Sequence, residues 1–161
     1  MSVADRLTEL GLVLPAVAAP VGAYVPAARS GALVHTSGQL PFVDGALPLT
    51  GLVGGGVTPE SARHLAGIAA LNAVAAVAAL LAEETGEEPA AALEHVARVV
   101  KVVGFVASDP AFTGQPGVVN GASELLGDLF GAAGRHARSA VGVAALPLGS
   151  PVEVEIVVET R

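Results

Sequence analysis

Cysteine and tryptophan are absent from this 161-residue chain, which carries one Tyr, one Met and four Phe. Without thiols it has neither a disulfide framework nor a thiolate metal site. That composition fits a reducing cytoplasm, the expected compartment. Cations are scarce as well: 8 Lys and Arg stand against 15 Asp and Glu, a formal net charge of −7. So acidic a chain is a poor partner for nucleic acid, because neutralising phosphates is what supplies most non-specific affinity. The opening residues Met1 to Arg6 lack the basic and apolar regions of a secretory signal. What the chain has in quantity is small apolar side chains. Hydrophobic residues make up 52% and aromatic ones only 3%, so Ala, Val, Leu and Gly must build the core. Disorder is excluded at that hydrophobicity, and a core of small side chains requires elements that approach closely. The length suits one domain.

The longest uncharged stretch runs from Leu65 to Ala82, with Asn72 as its one strongly polar residue. Its length approaches the ~20 residues of a membrane span. Half of it is alanine, however, and no basic anchor flanks it, so a helix buried within the protein is the expectation.

The pattern along the chain predicts a short helix over Asp5 to Leu10, strands over Tyr24 to Ala28 and Leu33 to Ser37, and a loop from Pro41 to Gly56. Thr58 is a natural N-cap, with Pro59 at the first helical position and Glu60 favouring the helix dipole. That helix should run to about Glu84 and stop at Gly86. Glu87 to Glu94 reads as a polar link or one helical turn, Val96 to Ala107 as a buried strand and Gly117 to Ala133 as a second helix. Two further strands, Arg138 to Ala144 and Val152 to Thr160, follow. The last alternates Val152, Val154, Ile156 and Val158 with Glu153, Glu155 and Glu159. Such an order predicts an α+β domain, residues 1–161, with one sheet and two helices packed on one of its faces.

Few residues carry recognisable chemistry. The run Gly54-Gly55-Gly56 does not follow a strand as a nucleotide-binding fingerprint would. His35, His64, His95 and His136 show no i, i+4 pairing, so no metal is expected. Ser37, Ser123 and Ser139 lack the context of an activated nucleophile. Arg138 stands out, opening a strand otherwise made of small residues. Its guanidinium either pairs with an internal carboxylate or offers a fork to a ligand's carboxylate. Glu153 is either wet-face charge or chemistry, Tyr24 either core or pocket wall, and Asn120 either a helix cap or a pocket amide.

At these residues the chain resembles the YjgF/RidA family. The resemblance rests on Pro20-Val21-Gly22-Ala23-Tyr24, Ser37-Gly38-Gln39-Leu40-Pro41, Asn120, Ala137-Arg138-Ser139, Leu146-Pro147 and Val152-Glu153-Val154-Glu155. It implies a chorismate-mutase-like fold and a homotrimer with ligand clefts between subunits. It also implies hydrolysis of reactive enamine or imine intermediates, such as 2-aminoacrylate, to 2-keto acids and ammonia without a cofactor. Arg138 would then clamp the substrate carboxylate and Glu153 would position and activate water. Tyr24 and Asn120 would line the cleft, with backbone at Ser37, Gly38 and Ala140 assisting. The family's common cysteine is Ala140 here, residues 1–14 precede the match as an N-terminal extension with the short helix, and the loop over Thr50 to Thr58 is long. These departures mark a divergent branch. A trimer that binds small carboxylates without turnover is the rival reading. Endoribonuclease activity is a third, weakened by the acidic balance.

One geometric expectation follows from the last two strands. In a symmetric hairpin Glu153 would face Val143, leaving Arg138 roughly 16 Å away at ~3.3 Å per residue. Either a bulge or offset shortens that distance, or the two residues act from different subunits.

Overall fold

The computed structural model describes all 161 residues. Helix α1 (Val3–Glu9) precedes strands β1 (Ala27–Ser30) and β2 (Leu33–Thr36), then the long α2 (Pro59–Thr85). A helical turn, α3 (Pro89–Ala92), leads into β3 (Val96–Ala107). Helix α4 (Gln115–Phe130) connects to β4 (Ala137–Val143), and β5 (Val152–Thr160) ends the chain. The strands form one sheet in the order β1-β2-β5-β3-β4. Only β3 and β4 run parallel; the other neighbours are antiparallel.

Helix α2 starts and stops where its end signals lie. The Thr58 hydroxyl accepts from the Ser61 amide at 3.2 Å, and Gly86 closes the helix with φ of 76°. At 27 residues α2 is long and apolar enough to cross a membrane, yet 67% of its most apolar 18-residue stretch is buried within the domain. Its Asn72 amide donates to the carbonyls of Leu40 (2.9 Å) and Phe42 (3.1 Å), which satisfies the polar group and ties that loop to the helix.

Small residues set the layer spacing. A Cβ on Gly121 of α4 would collide with the Arg63 carbonyl of α2, and one on Gly104 of β3 would collide with the Val119 side chain. The core lies between the helices and one sheet face, where Val152, Val154, Ile156 and Val158 meet Leu65, Val74, Val119 and Leu126. Helix α1 joins it through Val3 and Leu7, and Arg6 donates to the Asp128 carbonyl of α4. Both long helices cover that single face, as the sequence predicted.

Two expectations need correction. Tyr24 lies in a bend rather than a strand, because β1 begins only at Ala27, after Pro26, which has no N–H to give a ladder. The last two strands form no hairpin either. Strand β3 sits between them, since α4 is a crossover connection that returns β4 parallel to β3.

Candidate functional site

The register fixes where Arg138 and Glu153 point. Val102 of β3 faces Arg138 on one side and Ile156 on the other, so all three share the core-facing side of the sheet. Glu153 is an odd number of residues from Ile156 and leaves the opposite side. Phe105 pairs with both Glu153 and Val141, which puts Arg138 three residues away along the strand and two strands across. Their Cα atoms are therefore on the order of 14 Å apart. The register shifts in β3 fall between Val96 and Lys101, outside this stretch, so no bulge shortens the distance. Within one chain Arg138 and Glu153 therefore belong to two separate candidate half-sites.

The first half-site is polar and built from side chains. Arg138 donates through Nη1 to Asn120 Oδ1 at 2.8 Å and to Ser123 Oγ at 3.2 Å, and through Nη2 to the Pro116 carbonyl at 3.1 Å. No carboxylate pairs with it, which settles the open choice against an internal ion pair. These three bonds leave two of the five guanidinium N–H donors for a ligand. Asn120 is not a cap. Helix α4 begins at Gln115 behind Gly114, so Asn120 sits a turn inside and turns its amide oxygen to Arg138.

Behind this lie Ser123 and His136, which the sequence pattern gave no role. His136 approaches the Gly134 carbonyl with Nδ1 at 2.6 Å and Ser123 Oγ with Nε2 at 2.9 Å. A carbonyl only accepts, so Nδ1 carries the proton and Ser123 donates to Nε2. Ser123 thereby uses its hydrogen on His136 and a lone pair on Arg138. The signal for Ser123 was its i, i+3 spacing from Asn120, which puts both on one face of a helix. Ala140, two residues along β4 from Arg138, shares its side of the sheet and packs against the core.

The second half-site is built mostly from backbone. Gln39 exchanges two main-chain bonds with Val154, 2.8 and 3.0 Å, and so lays the Ser37–Gln39 segment along β5 beside Glu153. Gly38 is a requirement there: any Cβ would strike Glu153 Oε1. Ser37 secures the segment by donating its hydroxyl to the Val25 carbonyl at 2.6 Å. The Tyr24 ring folds over Gly22, and its hydroxyl accepts from the Val21 amide at 3.2 Å. Tyr24 is 49% exposed and lines a groove of about 210 Å³ with Gly38, Leu40, Pro147 and Glu153, so it is a pocket wall, not core. Burial, and next the nearby Glu155 charge, push the Glu153 carboxyl above the usual range.

A guanidinium with free donors and a carboxyl reluctant to ionise thus occupy opposite sides of one sheet. The family model described as "YjgF/chorismate_mutase-like, putative endoribonuclease" matches residues 4–160. Protein TCP17 of Trypanosoma cruzi is 45% identical over 158 residues, covering 98% of this chain and 93% of that one. An Agrobacterium tumefaciens protein of unknown function, known from its crystal structure, is 44% identical with a TM-score of 0.87, over 99% of this chain and 92% of its own. E. coli TdcF, crystallised with bound serine, has the same fold at a TM-score of 0.61 and 23% identity, over 90% of this chain and 94% of its own.

Proposed function

The chain belongs to the YjgF/RidA family, and on that premise we propose that it hydrolyses enamine or imine intermediates of the 2-aminoacrylate type in clefts shared by neighbouring copies of a homotrimer. The observation that carries this reading is the division of the two half-sites. Arg138 keeps two free donors and Glu153 has no cationic partner, yet the two diverge from one sheet. A second copy, bringing its Glu153 groove to this Arg138, completes a cleft that a single copy leaves open. The serine bound to TdcF is an amino acid with a carboxylate of the kind a guanidinium fork takes.

The chemistry needs little else. Arg138 holds the carboxylate of the iminium tautomer, formed once the enamine carbon has taken a proton. Glu153, its affinity for protons raised by burial, accepts one from water as the oxygen bonds to the electrophilic carbon. It returns that proton to nitrogen and then takes the carbinol hydroxyl proton as the C–N bond breaks, so that ammonia leaves a 2-keto acid. Orientation and one base suffice, because the imine is already electrophilic. The net charge of −7 favours a small anion held by one local cation over RNA.

The test mixes two defective chains. Arg138→Ala and Glu153→Gln are each expected to lose release of ammonia from enzymatically generated 2-aminoacrylate. When the two are unfolded and refolded together at equal amounts, random assembly gives about one quarter of the clefts both intact residues, and a matching share of activity returns. Absence of ammonia release by the unaltered protein would remove the chemistry and leave the non-catalytic carboxylate binder. Activity that fails to return on mixing would remove the shared cleft.

A further inference from the structure

The concavity beside Arg138 measures about 370 Å³ and is lined by Ser123, Gly127, Gly134, Arg135, His136 and Arg138. In a chain with nearly twice as many acids as bases, no carboxylate reaches this wall. Two other arginines have carboxylate partners, Arg29 with Glu84 and Arg63 with Glu124. Arg135 and Arg138 have no acidic partner, although they share one concavity. Both residues line this concavity, so an anion lying in it would meet two positive charges that no carboxylate cancels.

The donor count separates their roles. One carboxylate occupies the two donors left on Arg138, so that residue is then full. All five donors of Arg135 stay free for something else. Ser123 and His136 cannot substitute, because each spends its hydrogen within the chain. Gly127 also lines the concavity, and a Cβ there would meet nothing within 4 Å, so open space lies against this part of its wall.

We propose that this cleft selects substrates with two anionic groups: the imines of acidic amino acids, whose 2-carboxylate binds Arg138 and whose distal carboxylate binds Arg135. This rests on the hydrolase reading for the reaction, but not for the binding preference. The 2-keto acid products serve as stable probes. Binding is measured for two length-matched pairs, oxaloacetate against 2-oxobutyrate and 2-oxoglutarate against 2-oxopentanoate. In at least one pair the diacid is expected to bind about fivefold more tightly, the scale of one exposed ion pair, and the gap should shrink with added salt.

Arg135→Gln should remove that gap while leaving the monoacid affinity unchanged. Gly127→Leu, which fills this part of the cavity from a helical position, should weaken the diacid more than the monoacid. Equal affinities within both pairs would overturn the proposal, as would a gap that survives Arg135→Gln. Failure of the underlying site looks different: no keto acid of either kind binds, or Arg138→Ala leaves binding unaltered.

Discussion

Arg138 and Glu153 sit in opposite electrostatic surroundings. Around Arg138 the neighbours are rigid and neutral: an amide and a hydroxyl from one helix face, and a carbonyl from the same helix. They orient the guanidinium without cancelling its charge, which a carboxylate neighbour would do. Around Glu153 the neighbours are backbone, an aromatic ring and apolar walls, with another acid nearby. Those surroundings make ionisation costly and keep the proton easy to recover. At Arg138 the positive charge stays uncancelled; at Glu153 the carboxyl holds its proton more tightly than usual. Substituting at either half should therefore leave different traces on stability as well as on rate.

The largest effect belongs to Glu153→Gln. Turnover should fall by about 10² to 10⁴, the usual contribution of a positioned general base, with little change in KM. Stability should move the other way. Burial raises the carboxyl in the folded state, so on raising pH the unfolded chain ionises first while the folded one still holds its proton. The folding stability linked to this group is full below the ordinary carboxylate range and is lost as pH rises through the raised folded value. The Gln variant escapes that loss. Its thermal midpoint should exceed that of the unaltered protein at pH 7, and the difference should shrink toward pH 4. Parallel stability curves across this range would show that Glu153 feels no burial, and the contrast between the halves would go.

A smaller effect is expected from Gly38→Ala. The added methyl collides with the end of a flexible side chain rather than with main chain, so the carboxylate swings toward water. Overpacking of this kind costs about 1 kcal/mol, and loss of the aligned base should lower turnover about tenfold. Because a solvated carboxyl returns to its ordinary range, the pH dependence of stability seen above should flatten in the same variant. Urea melts at two pH values check both statements.

How much of this was legible in the sequence depends on the range of the interaction. Strands β3 and β5 lie where the β-branched run and the alternating run end, and α2 begins and ends at Thr58 and Gly86, because these are local preferences. Strand neighbours are decided by connections. The short segment around Leu146 to Ser150 suggested a hairpin, but helix α4 between β3 and β4 was the overriding signal, since a helical crossover returns its strand parallel. That misreading put Arg138 and Glu153 on one hairpin, whereas β3 separates them and the pleat turns them to opposite sides. Tyr24, Gly38 and Glu153 do come together, as do Asn120 and Arg138. The Ser123–His136 support was unreadable without coordinates because a helix face and a loop meet there only in the folded chain. Nothing in a single chain's pattern brings the Arg138 and Glu153 surroundings together.

The contrast can be sharpened by giving the arginine side the neighbour it lacks. Asn120→Asp keeps the shape of the side chain and its acceptor at 2.8 Å from Nη1, but adds a negative charge. The guanidinium would then gain the internal carboxylate partner that the native half-site withholds. An exposed or half-exposed pair of this kind contributes up to about 1 kcal/mol, so the fold should be unharmed or slightly steadier, and an incoming carboxylate should lose about fivefold in affinity. The loss belongs in KM with kcat nearly kept, because the base lies in the other half. Raising the ionic strength should screen the new pair and recover part of the affinity. If Asn120→Asp instead lowers kcat at unchanged KM, Arg138 acts on the reacting centre rather than on the carboxylate, and the division of labour between the halves would have to be reassigned.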